Sequence, residues 1–257
     1  MKQIIKYILL TALRDWLYIG LLIILAGTLG ISVLLGYSAL SEESQMQTIY
    51  FAASSRVVIV CGILLFICFN IKRAFENKEI HFILSKPISR YSFVMAYWLG
   101  FNMVAMILIA PLFLVLMMHS AVQMVGLAYW TLSLVLEILL ISTFAIVASL
   151  ILRSAVSSVL AAFSFYLLSR LMGFFVYAIK IPDDPLDIQI GSLTGFMELV
   201  LKALSVIFPR LDIFTKSEWL IYNVTNFGDF SLIISQSLIY IPFMLLVAFF
   251  DFKRKQF

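Results

Sequence analysis

Two charged side chains stand inside long apolar runs, Glu137 and Arg170. An ionisable group at such depth needs an opposite charge or a wet cavity. Glu137 lies about eleven residues in from one end of its run, and Arg170 about nine in from the matching end of the next, so their depths differ by about 3 Å at 1.5 Å per residue. Only the turn at Arg153-Ser154 joins the two runs, which makes them antiparallel neighbours. The pair either fixes packing as a structural salt bridge or lines a substrate path as a proton-coupled site, and both readings stay open at this point. Other chemistry is thin. His81 and His119 are the two histidines and fall on opposite sides of the apolar layer, which excludes a two-histidine zinc site and an HExxH protease. No G-x-S-x-G and no Walker A sequence occurs, so any ATP used must be bound by another polypeptide. Asp183, Asp184 and Asp187 read as a solvated acidic loop in preference to a cation site, and Asn223-Val224-Thr225 as a chance sequon. The expectation is a protein that is not an enzyme and holds no cofactor or metal.

The elements that position these residues follow from composition. The chain of 257 residues is 63% hydrophobic and 12% charged, with mean hydropathy +1.07. No soluble domain covers that much apolar surface. The runs are unbroken for about 20 residues and lack the alternation of a β-barrel, so they read as transmembrane helices. Six spans are expected, at about Trp16–Leu40, Tyr50–Ile71, Tyr91–Met118, Gly126–Leu152, Ala155–Ile179 and Phe230–Phe250. Starting the second near Tyr50 requires Arg56 to snorkel outward. The fold class is thus an all-α polytopic membrane protein, one transmembrane domain over residues 1–257. It has an amphipathic N-terminal helix over 1–15 and short outer helices before the last span. Ala26, Gly30 and other small residues suit a close-packing stripe on the first span. Cys61 and Cys68 lie about 10 Å apart along one helix, too far for a disulfide.

Lysine and arginine set the orientation. Twelve fall on one side: Lys2, Lys6, Arg14, Lys72, Arg73, Lys78, Lys86, Arg90, Arg153, Lys253, Arg254 and Lys255. Five fall on the other: Arg56, Lys180, Lys202, Arg210 and Lys216. Both termini are therefore expected in the cytoplasm, with the chain in the cell (inner) membrane. The net charge of +4 reflects topology and not nucleic-acid binding. The N-terminus is basic then apolar, but Arg14-Asp15 interrupts it and no small-residue cleavage site follows, so no signal cleavage is expected. The outer segment 180–229 opens on Ile181-Pro182-Asp183-Asp184-Pro185 and continues with an amphipathic helix from about Leu193 to Phe208. That helix suits the interface or a re-entrant hairpin, with Trp219 and Tyr222 at headgroup level.

Between the second and third spans lies a charged island running from Phe75 to Arg90 and ending in Ser85-Lys86-Pro87-Ile88-Ser89-Arg90. Phe75, Phe82 and Ile83 can face lipid or protein while Glu76, Lys78 and Glu79 stay wet, as a membrane-surface helix requires. Pro87 then stops that helix. This pattern resembles the coupling-helix loop of ABC transporter type-2 permeases, which often carries a Glu, a Gly-containing turn and then Leu-Leu-Ser-Lys-Pro-Ile-Ser-Arg. Here Asn77-Lys78 stand where the glycine turn is common, and His81 where an acidic residue often stands. The resemblance extends to the amphipathic N-terminal helix, the six spans and Phe208-Pro209-Arg210-Leu211-Asp212 before the last span.

The resemblance implies the membrane subunit of an ATP-driven exporter, working as a homodimer or pseudo-dimer with another permease. A separate ABC ATPase subunit would dock on residues 73–90 through Phe75, Glu76, Glu79, Phe82 and Leu84, with Pro87 and Arg90 fixing the exit into the third span. Membrane lipid is the other partner; nucleic acid is not one. A stand-alone secondary transporter would need an intramembrane polar site, for which only Glu137 and Arg170 offer themselves. A non-transporting membrane assembly subunit is the third reading.

Overall fold

Asp15 splits the N-terminal apolar sequence into two helices, α1 (Lys2–Arg14) and α2 (Trp16–Tyr37). Its carboxylate accepts the Leu17 N–H at 3.1 Å and so caps α2, while the α1 backbone ends. The computed structural model describes residues 2–38, 42–78, 89–180, 199–200, 203–204, 207–222 and 227–254. The other long helices are α3 (Glu43–Glu76), α4 (Arg90–Met117), α5 (Met124–Ile151) and α6 (Ala155–Lys180). A 3-10 turn (Ile213–Thr215), a short α7 (Trp219–Tyr222) and α8 (Phe227–Arg254) complete the chain. Helices α2, α3, α4, α5, α6 and α8 are each long and apolar enough to cross a membrane. The protein is an all-α multi-pass membrane protein. One end of the bundle carries Lys72, Arg73, Arg90, Arg153 and Lys253 and is called the basic end below; Met118 marks the far end.

Helix α5 is the hub. It packs against α3, α4, α6, α7 and α8, and it carries the buried polar residues Ser133, Glu137, Ser142, Thr143 and Ser149. Two of them bind α4 across the bundle: Trp98 Nε1 donates to Thr143 Oγ1 at 2.8 Å, and Ser142 Oγ to Asn102 Oδ1 at 2.9 Å. Interhelical hydrogen bonds of this kind orient spans that have no hydrophobic force to separate them from lipid. Helix α1 buries Ile4, Ile8 and Ala12 and lies against α4. Gly100 makes this approach possible, since a Cβ there would stand 2.8 Å from Ile8 Cδ1.

Three expectations change. Helix α3 begins at Glu43 and not near Tyr50, so Arg56 lies about 20 Å inside it. Arg56 does not snorkel; it is buried, because a carboxylate and three oxygen acceptors surround it there. Around Trp219 the chain turns inward. Pro209, Leu211, Ile213, Phe214, Trp219 and Leu220 are buried, and the Leu211 N–H donates to the Ser169 carbonyl of α6 at 3.1 Å. Trp219 sits inside the protein and not at headgroup level, because Gly126 of α5 lets its backbone carbonyl in; a Cβ at Gly126 would fall 1.8 Å from that oxygen. Ala26 and Gly30 are both exposed, and a Cβ on Gly30 would meet none of the described residues. The acidic residues Asp183, Asp184 and Asp187, most of the helix from Leu193, and Asn223-Val224-Thr225 lie outside the described residues.

Candidate functional site

Arg56, Glu137 and Arg170 meet at one level of the bundle. Measured from the basic end, Arg170 lies about 22 Å along α6 from Ala155 and Glu137 about 21 Å along α5 from Ile151. Arg56 lies about 24 Å along α3 from Lys72, whose ammonium donates to the Leu152 carbonyl at the end of α5. Arg56 Nη1 donates to Glu137 Oε2 at 2.9 Å and to the Phe214 carbonyl at 2.7 Å. Arg56 Nη2 donates to the Trp130 carbonyl at 3.0 Å and to Ser133 Oγ at 2.9 Å. The guanidinium also stands 4.5 Å from the centre of the Trp130 ring. Arg56 and Glu137 are 1% and 0% exposed.

Arg170 is held differently. Its Nη1 donates to Tyr166 Oη at 2.8 Å and reaches only within 3.7 Å of Glu137 Oε1, and its side chain is 29% exposed. Glu137 Oε1 accepts no hydrogen bond among the described residues. One carboxylate thus faces two guanidinium groups. With all three ionised, the cluster holds an excess positive charge within the apolar layer.

The expected partner of Glu137 is therefore its more distant one, and the closer one is Arg56, which the sequence reading sends outward by snorkelling. A signal existed. Once α3 is extended to Glu43, Arg56 and Glu137 stand equally far from the far ends of their helices. A second missed partner, the Phe214 carbonyl, carries no sequence signal, since any residue could supply it.

At the basic end the charged island is described only at its roots. Phe75 is half-buried under Lys72, whose Nζ lies 5.7 Å from the ring centre, and Glu76 is exposed at the last turn of α3. Glu79, Phe82, Leu84 and Pro87 lie outside the described residues. Helix α3 ends as the Asn77 N–H donates to the Arg73 carbonyl and Lys78 takes a left-handed backbone at φ 57°. This is the conformation that a glycine would supply more cheaply. Ser89 restarts the helix by accepting the Ser92 N–H at 3.1 Å. Each root is tied to another layer. Arg73 Nη1 lies 3.3 Å from Asp15 Oδ2 at the α1–α2 elbow. Lys72 holds the end of α5. Arg90 Nη1 donates to the carbonyls of Phe252 and Lys253 at 3.2 and 3.0 Å, at the end of α8. Cations at helix C-termini complement the carbonyl-rich end of the dipole. Phe93 and Phe252 stack beneath that contact with centroids 5.1 Å apart. No protein-family model matches this chain, and no curated protein is significantly similar to it.

Proposed function

We propose that this chain is the permease subunit of an ATP-driven ABC exporter, paired with a second permease and driven by separate ATPase chains that dock on residues 73–90. In this reading the basic end faces the cytoplasm, both termini lie there, and the membrane is the cell (inner) membrane. The observation that carries the reading is the anchoring of that loop. Lys72, Arg73 and Arg90 flank it and grip, in turn, the end of α5, the α1–α2 elbow and the end of α8. A docking loop that must move a whole bundle needs such connections; a passive connector does not.

The route of force then follows the rigid elements. Helix α3 is continuous for 34 residues, about 51 Å at 1.5 Å per residue. A push on the loop therefore tilts α3 as one body and displaces Arg56, which holds the Phe214 carbonyl of the far-end segment. ATP-driven closure on one side thereby reaches the lid-like stretch 207–222 on the other. This is coupling through a packed helix whose two arrangements both ends bias.

The test is co-purification. The chain, purified in mild detergent from its native membrane, should bring down a second polypeptide that carries a Walker A sequence and hydrolyses ATP. Phe82→Asp should release that polypeptide while the permease still inserts and elutes as folded, since an apolar anchor dominates such contacts. Full retention of ATPase binding and turnover by Phe82→Asp refutes the docking assignment. A second reading, the stand-alone secondary transporter, is favoured by the intramembrane charges at Arg56, Glu137 and Arg170. It expects substrate flux in vesicles of the pure chain under an ion gradient alone.

A further inference from the structure

The excess charge in the buried cluster has an open side, and that side is Arg170. Arg56 donates four hydrogen bonds to fixed protein oxygens and is sealed. Arg170 has one hydrogen bond, to Tyr166 Oη, and a longer approach to Glu137. A guanidinium offers five N–H donors, so Arg170 keeps donors that no described residue meets, on a side chain 29% exposed. Protein surface open at that depth faces hydrocarbon, another chain or a water-filled path, and donors of a cation left unmet in hydrocarbon are costly.

The surroundings define what fits. On α6 the side chains Leu167, Leu171 and Phe174 beside Arg170 are 54%, 51% and 70% exposed. Helix α3, which carries the half-buried Cys61, packs against α6. A planar, forked cation set in an apolar face suits a carboxylate or phosphate group attached to an apolar body.

Depth narrows it further. Arg170 stands about 22 Å from the basic end of α6, within a hydrocarbon layer of about 30 Å. A resting lipid keeps its headgroup outside that layer. An anionic headgroup that reaches Arg170 is therefore being moved.

We infer that Arg170 is an anion-recognition residue for an amphiphile that carries a single anionic headgroup on an apolar tail. Such a molecule is the substrate class of the exporter proposed above, on which this inference rests. The head is held by the Arg170 fork, and the tail lies along Leu167, Leu171 and Phe174. Glu137 sets the strength of the site. It shares its charge between Arg56 and Arg170, and so leaves Arg170 only partly neutralised and able to release the head.

The experiment uses the protein's own thiols and needs no ATPase, so it stands or falls apart from the co-purification above. The chain has two cysteines, and Cys68 is buried. In a Cys68→Ala background Cys61 is the sole thiol, and it lies on the helix α3 that packs against α6, which carries Arg170. The purified chain in neutral detergent is labelled with a sulfonate-bearing methanethiosulfonate and with its trimethylammonium counterpart. The sulfonate should react faster. Dodecyl phosphate should slow labelling saturably, dodecyl glucoside should not, and inorganic phosphate should do so only at far higher concentration. Arg170→Gln should weaken protection by dodecyl phosphate about 10- to 100-fold, as expected for losing charge-assisted hydrogen bonds, and should abolish the reagent preference. Arg170→Lys, which keeps the charge and loses the fork, should keep the preference and lose most of the protection. Protection by inorganic phosphate as strong as by dodecyl phosphate would overturn the amphiphile assignment. Undiminished protection in a folded Arg170→Gln variant would overturn the role of Arg170. If that variant does not fold, the Cys68→Ala protein decides alone: no reagent preference and no protection overturns the inference.

Discussion

Replacing Arg56 by methionine should be the most damaging single change in the apolar layer. The substitution removes a sealed cation and leaves Glu137 Oε2, the Phe214 carbonyl and Ser133 Oγ without the donor each now has at 2.9, 2.7 and 2.9 Å. Breaking one side of a buried ion pair costs about 3–5 kcal/mol, and an orphaned buried carbonyl costs about 1–3 kcal/mol. Arg170 cannot take over, since it stands 3.7 Å from the other carboxylate oxygen and is held by Tyr166. Arg56→Met should therefore lose about 4 kcal/mol or more. Glu137→Met, which strands Arg56 in turn, should lose a similar amount. The double variant replaces the pair by apolar groups and should recover at least about 2 kcal/mol of the summed losses. The same cycle on Arg170 and Glu137 should give a coupling below about 1 kcal/mol, because that pair is longer and partly exposed. Reversible unfolding in mixed micelles, followed by tryptophan fluorescence, measures all three, and Trp130 reports directly on the Arg56 contact. Additivity of the Arg56 and Glu137 losses within about 0.5 kcal/mol, or a larger coupling for Arg170, would refute this account of the cluster.

Other expectations are simpler to check. Gly126→Ala should cost about 1–3 kcal/mol and displace Trp219, because the new Cβ would meet a backbone carbonyl that cannot rotate away; thermal melting and tryptophan emission report it. Lys78→Gly should be neutral or stabilising by up to about 1 kcal/mol, since it relieves a left-handed backbone at the end of α3; a drop in melting temperature would argue against that turn. Arg73→Ala should cost no more than about 1 kcal/mol in stability, as its ion pair with Asp15 is half exposed. Under the exporter reading it should lower coupled ATP turnover more than it lowers stability. Cysteines placed at Asn77 and Met118 should label from opposite sides of the membrane; labelling of both from one side contradicts the helix-by-helix crossing.

The span assignment was legible because membrane helices announce themselves by length and apolarity alone. Trp16, Arg90, Met124 and Ala155 begin helices within two residues of the expected starts. What escaped was everything decided by a partner far away in sequence. Arg56 reads as an outer residue only while its helix is taken to start at Tyr50; Ser44, Gln45 and Gln47 look like loop because hydropathy cannot tell a solvated helical extension from a coil. Trp219 looks like an interface residue because the sequence shows its amphipathic ring but not the missing side chain at Gly126. The packing of the segment 207–222 is illegible for the same reason. Beside its own local turns, part of its backbone is met from outside the segment, by Ser169, Gln236 and Arg56. Hydrogen-bond satisfaction by distant partners is what admits irregular backbone into a membrane bundle.

The burial of Glu137 also bears on the choice between the two proposed readings. A carboxylate that drives a secondary transporter must take up a proton or cation from one side and release it to the other. That requires a path which opens to each side in turn. Glu137 is fully buried, with Arg56 bound to one oxygen, Arg170 near the other, and Arg56 in turn roofed by Trp130 and Phe214. No opening to either side is seen at Glu137 among the described residues. A mechanical drive applied through α3 asks only that Arg56 move together with its acceptors, and every one of those acceptors lies on α5 or on the 207–222 segment. Glu137→Gln separates the two. It should leave ATP-driven transport substantially intact wherever the variant folds, because Gln still offers Arg56 an oxygen. In a proton-coupled carrier the same change would abolish uptake against a gradient, and that outcome in vesicles would turn the preference around.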